Sequence, residues 1–157
     1  MWNSFTATLR QLQQQYEKIR ALQDKKRGVL VALDMAGLEA LTAQEELLAT
    51  SVQALEQQRL ALLARIAETT PGVTVQTTME ELALLAPTEA VHRSVLGASR
   101  SLSRIVKETK DRSEANALLM EGLLRAVNRQ LGKIGGAVVD PVYGNTGGEQ
   151  VRHLKKN

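Results

Sequence analysis

The chain has 157 residues, 43% hydrophobic but only 3% aromatic, and 20 basic side chains against 17 acidic ones give it a formal charge of +3. That length suits one modest core, and the absence of cysteine excludes disulfides, thiol nucleophiles and thiolate metal sites. No run of about 18 apolar residues occurs, and the opening MWNSFTATLRQLQQQYEK has no basic segment leading into an apolar one, so neither a membrane span nor a signal peptide is expected.

Leu, Ala, Gln, Glu, Arg and Lys dominate, which favours helices packed on helices. Trp2, Phe5, Leu9, Leu12, Tyr16 and Ile19 recur at intervals of three and four, the pattern of a helix seam. The seam continues through Leu22, Leu30 and Leu33, but Gln23 and Lys26 interrupt it as a polar layer. Asp34 is placed to cap the next helix, and Gly37 weakens helix nearby, so a turn is expected around residues 34–37. A second heptad run starts at once in Leu38, Leu41, Leu48, Val52, Leu55, Leu62 and Ile66, with Glu45 and Arg59 at its two polar positions.

A connection this short makes the two helices antiparallel and sets residue i opposite roughly 71 − i. Lys26 should then meet Glu45 in the seam, partly buried, where such a pair fixes register more than it stabilises. Gln11 to Gln13 should lie near Arg59. TTPGVTVQTT, residues 69–78, reads as a loop. Thr78-Met79-Glu80-Glu81 is a capping-box signature for a brief helix from Met79 to Leu85, whose Leu82 and Leu85 should close one end of the bundle.

A third long helix begins at Thr88. Val91, Val95, Leu102 and Ile105 form its first apolar stripe; Thr109, Arg112 and Asn116 form a polar middle; Leu119, Leu123, Val127, Leu131 and Ile134 form a second stripe. No proline interrupts it, so one rod of roughly 70 Å is allowed against about 50 Å for the hairpin helices. That mismatch leaves about 20 Å of apolar face for a partner, a second copy or the chain itself. After Gly135-Gly136 the chain reads AVVDPVYGNTGGEQ, in which Tyr143 is a lone aromatic, either folded back onto the bundle or an anchor for another protein. Arg152, His153, Lys155 and Lys156 end the chain as a basic tail.

Little here suggests catalysis. His92 and His153 are too far apart in character to argue into a metal site, and Glu45-Glu46 and Glu80-Glu81 diverge on a helix. GNTGG at residues 144–148 lacks the Lys-Ser/Thr of a phosphate loop. Basic residues are spread over every helix with few aromatics to stack bases, so no nucleic-acid partner is expected. No enzyme, cofactor or metal site is read from these residues.

Three stretches together resemble the FlgN family of flagellar type III export chaperones for the hook-associated, or hook–filament junction, proteins. They are the hairpin, with Tyr16-Glu17-Lys18, Lys25-Lys26 and LEALTAQEELLATSVQALEQQRLALL from Leu38 to Leu63; NALLMEG from Asn116 to Gly122; and VYGNTG from Val142 to Gly147. The family often carries Asn-x-x-Asn-Gly where this chain has Ser113-Glu114-Ala115-Asn116-Ala117, so one Asn and the Gly are missing. The resemblance implies a cytoplasmic chaperone that holds the C-terminal region of unassembled junction proteins on its last helix, with Asn116, Leu119, Leu123, Val127, Leu131 and Ile134 as the client face. It also implies that Tyr143, Gly144 and Gly147 touch the cytoplasmic domain of the export gate.

The expectation is an all-α protein: an antiparallel hairpin, Asn3 to Glu68, packed on a long third helix, with a short connecting helix. Residues 1–136 would form the bundle and residues 137–157 an extended or disordered tail. A self-associating coiled-coil protein, homo-oligomeric through the same stripe and without a chaperone role, is the competing reading.

Overall fold

In a computed structural model, which describes residues 1–135, the chain is all helical: α1 is Trp2–Val31, α2 Met35–Thr69, α3 Met79–Leu84 and α4 Glu89–Lys133. α4 runs unbroken through Gly97, Gly122 and Gly132. None of these makes a close approach that demands glycine, and forty-five residues of continuous helix carry it past the polar middle. Tyr143 and the rest of the expected tail, residues 137–157, lie outside the described residues.

The chain divides into two compact units. The first comprises Met1–Ala21 and Leu47–Thr109; the second comprises Leu22–Glu46 and the chain from Lys110. In the first, Phe5, Leu9, Leu62, Leu63, Ile66, Val73, Leu82, Ala83, Val95 and Ala98 form one buried cluster. Its small helix α3 starts where the capping box placed it. Glu81 N–H donates to Thr78 Oγ1 at 3.2 Å and Thr78 N–H donates to Glu81 Oε2 at 2.9 Å, so two donors at the helix start are satisfied reciprocally. Leu82 enters the core as expected, but Leu85 is the C-cap and stays exposed; Ala83 is buried instead, because only one turn of α3 faces inward. The His92 ring nitrogen Nδ1 lies 2.7 Å from Ala83 O, which ties α4 to α3 and gives that histidine a structural partner.

The turn between α1 and α2 falls earlier than residues 34–37. Leu33 takes φ 55°, Leu33 N–H donates to Leu30 O, and Asp34 N–H reaches back to Val29 O at 2.9 Å, a left-handed helix stop usually made by glycine. Leu33 therefore leaves the seam and is 58% exposed. Asp34 caps α2 by accepting from Gly37 N–H at 2.9 Å. Gly37 belongs to the first helical turn rather than to the bend, and a Cβ there would collide with the Asp34 carboxylate.

The antiparallel register is as expected in the second unit, where Lys26 Nζ meets Glu45 Oε1 at 2.8 Å. In the first unit the ion pair of Arg59 is made within α2. Arg59 pairs with Glu56 one turn back on its own helix at 2.8 Å, while Gln58 donates to Thr8. A carboxylate fixed at i−3 on the same helix needs no cross-helix registration to be met.

Candidate docking surface

Four of the polar residues that interrupt the apolar stripes, Gln23, Lys26, Glu45 and Asn116, come together in the second unit. Lys26 Nζ donates to Glu45 Oε1 at 2.8 Å, Gln23 Nε2 to Glu45 Oε2 at 2.8 Å, and Asn116 Nδ2 to Gln23 O at 2.8 Å and Gln23 Oε1 at 2.9 Å. Gln23, Lys26 and Asn116 are buried, and the Lys26 and Glu45 side chains keep only 7% and 18% of their exposure. One hydrogen-bonded chain thus links α4, α1 and α2. A buried charge pair with its remaining hydrogen bonds met specifies register, since any slip would strand a charge.

Asn116, expected in the client face, is therefore spent inside the bundle. Its amide donates to both Gln23 acceptors, and nothing of that group is presented outward.

The same bond sets the pairing of α4. Asn116 and Gln23 are 93 residues apart and run level on α4 and α1, with Arg112 beside Asp24 at 3.4 Å. Carried forward, that separation sets Val31, the last residue of α1, beside Leu124. The Lys26–Glu45 register sets the start of α2 at the same level. The nine residues of α4 beyond Leu124 extend about 14 Å past both helices of the hairpin.

Burial agrees with this geometry. Asn116 is the last buried residue of α4 among the described residues. Leu119 and Leu123 fall alongside the hairpin and are half-buried; beyond them Val127 is 39% exposed, Leu131 half-buried and Ile134 78% exposed. Leu118 is also exposed and was not in the expected stripe. Arg125, Arg129 and Lys133 are exposed along the same length of helix, and Glu121 is its last acidic residue. The stripe thus exists, and among the described residues only its distal part, Val127, Leu131 and Ile134, falls beyond the register of α1 and α2.

Sequence reasoning placed Gln23 in a polar layer but missed its pairing with Asn116. Its signal was present as two polar layers, Gln23 with Lys26 on one helix and Thr109 with Asn116 on another, each interrupting an apolar stripe. Matching the layers sets the α1–α4 register. Tyr143, Gly144 and Gly147 lie outside the described residues.

Grooves elsewhere among the described residues include one in each unit. One of about 490 Å3 in the first unit is of mixed character, lined among others by Arg10, Glu17, Arg93, Ser94 and Ala98, with Arg10 Nη2 donating to Ser94 Oγ at 3.3 Å. The other, about 470 Å3 in the second unit, is apolar and lies along Gly28, Val29, Gly37, Ala40 and Leu41. Among the described residues no group of three or more His, Asp or Glu could hold a metal ion, and no helix is long and apolar enough to cross a membrane.

The model of the family described as FlgN protein matches residues 1–150, nearly the whole chain. The chain belongs to the FlgN family. FlgN proteins are flagellar export chaperones, and the helical bundle described above is this member's version of that scaffold. No curated protein and no solved structure matches it.

Proposed function

We propose that this FlgN-family protein acts in the cytoplasm, without catalysis, as the chaperone of hook–filament junction proteins. In this reading it holds their C-terminal region on the distal end of α4 until the export apparatus takes them. The observation that carries the reading is the run of α4 beyond Leu124: nine residues of helix with an apolar stripe that, among the described residues, falls past the register of both hairpin helices.

The client's apolar residues cover Val127, Leu131 and Ile134, with Leu123 at the edge, as one amphipathic helix covers another. Each fully covered Leu contributes about 2 kcal/mol before association costs, so two or three anchors decide whether a complex persists. Delivery to the cytoplasmic domain of the export gate falls to Tyr143, Gly144 and Gly147.

The test is co-purification with the C-terminal region of candidate junction proteins, read by size-exclusion chromatography with light scattering. A stoichiometric complex is expected from the parent chain and none from Val127→Glu with Leu131→Glu, whose helical content should match the parent because neither residue is buried. No complex with any junction tail, beside a stable homodimer lost on the same substitutions, would establish the self-associating reading instead. Tyr143→Ala should keep the complex and lower secretion of the junction protein.

A further inference from the structure

The groove of about 490 Å3 in the first unit runs between α1 and α4 and carries an excess of positive charge. Its α4 wall is made of small residues, Ser94, Gly97, Ala98 and Ser101, with Arg93 on the α4 side of it and Arg10 on the α1 side. A Cβ added at Gly97 would meet no atom within 4 Å, so nothing in the chain's own packing calls for a glycine there, in mid-helix, where it weakens the helix. The absent side chain leaves room for another backbone to come close.

Arg93, Gly97, Arg100 and Arg104 follow one another at intervals of four, three and four, one row of a helix about 16 Å long. All three arginines of this row are exposed. Among the described residues neither they nor Arg10 meet a carboxylate; Arg10 donates instead to Ser94 Oγ. Glu17, the acid on the groove wall, accepts from Gln13 Nε2 at 3.0 Å. Over residues 2–21 of α1 and 89–109 of α4, seven basic side chains stand against three acidic ones, and one of the three, Glu108, is taken by Arg20. Guanidinium groups bind carboxylates through paired hydrogen bonds, so a row of them with no acid of its own is complementary to an acidic partner. Two copies meeting groove to groove would set arginine against arginine, a juxtaposition that disfavours pairing.

We propose that this groove docks an acidic helix of a partner protein, with carboxylates at the same four-three-four spacing facing Arg93, Arg100 and Arg104 and its backbone closing on Gly97. The site is separate from Val127, Leu131 and Ile134, and it does not rest on the client reading given above.

The probe is a fluorescein-labelled, alanine-based helical peptide of about 18 residues with Glu at those spacings, titrated into the full chain and read by anisotropy; a control peptide carries Gln in place of Glu. The acidic peptide is expected to bind at least about tenfold more tightly than the control, and to weaken as salt rises. Arg93→Glu with Arg100→Glu should lower its affinity about tenfold or more, with helical content unchanged because both residues are exposed. Gly97→Leu separates docking from folding: its side chain enters open space and favours helix, so binding should be lost while the thermal melt stays at or above that of the parent. No binding of the acidic peptide up to about 1 mM, equal affinity for the two peptides, or parent-like binding by Gly97→Leu would each overturn the proposal. A single-stranded oligonucleotide of equal charge that binds more tightly than the peptide, and is lost on the same two arginine substitutions, would overturn it by assigning the row to phosphates. Oligomers that grow with protein concentration and vanish in the Arg93→Glu, Arg100→Glu variant would overturn it by assigning the groove to a second copy.

Discussion

The two units of this protein are built from the same helices on opposite principles. Around Phe5, Leu82 and Val95 the interior is a continuous apolar cluster closed by α3 and its capping box. Around Gln23, Lys26, Glu45 and Asn116 the interior is a hydrogen-bonded polar chain, with Leu22, Leu30 and Leu38 as the buried apolar residues beside it. Apolar burial supplies free energy without direction, whereas a buried ion pair contributes little net stability but penalises every wrong alignment. The first unit therefore holds the fold and the second unit sets the register from which the end of α4 is presented.

Substitution can break that contrast in four places. The largest loss is expected from Phe5→Ala in the dry cluster, about 3–5 kcal/mol in denaturant melts, because a fully enclosed ring leaves a cavity that its neighbours cannot fill. Trp2, the sole tryptophan, packs against this cluster, so its emission follows the change directly. Lys26→Met alone should cost about 3 kcal/mol by leaving the Glu45 carboxylate without its cation, while Lys26→Met with Glu45→Leu should recover most of it. If the double variant were as unstable as the single one, the polar chain would be a source of stability and the contrast would fail. The register test is sharper still: hydrogen exchange of α4 beyond Leu118 should rise in the double variant even where its melting point does not fall.

Leu33→Gly is expected to stabilise by about 1 kcal/mol, since Leu33 bears a left-handed conformation with its side chain in solvent. Thermal melts read this gain, and a loss would show that the exposed leucine makes a contact worth more than the strain.

The smallest effect belongs to Tyr16. Burial, and secondarily the carboxylate of Glu56, hold its phenol above the ordinary value of 10.0. A folded pKa above the unfolded one means that folding favours the neutral phenol. The contribution is complete below pH 10 and is lost as the pH climbs through the folded value. Melts between pH 9 and pH 11 should therefore show a steeper decline for the parent than for Tyr16→Phe.

Periodicity made the hairpin legible, since heptad spacing together with a short connection leaves one antiparallel register and Lys26 meets Glu45 within it. The capping box and the continuity of α4 were legible for the same local reason. Three features were hidden because they depend on choices between elements. Leu33 fits the seam by spacing, but Asp34 takes the cap position and forces the reversal one residue earlier. Leu85 has the spacing of a core residue on a helix that ends before it. Asn116 reads as part of an outward face until Gln23 of another helix is known to lie level with it. Spacing along one helix reports which residues share a face, and it carries no information on which neighbour that face will meet.

The separations in the polar chain also order events in time. Lys26 and Glu45 are 19 residues apart and Gln23 and Glu45 are 22 apart, while Asn116 finds Gln23 only across 93 residues. Short loops close faster than long ones, so a chain emerging from a ribosome is able to zip the hairpin long before the last helix exists. The α4 contact is then a late addition to a preformed pair. Its loss in Asn116→Ala is expected to quicken unfolding while leaving the refolding rate nearly unchanged, placing this one amide after the folding barrier.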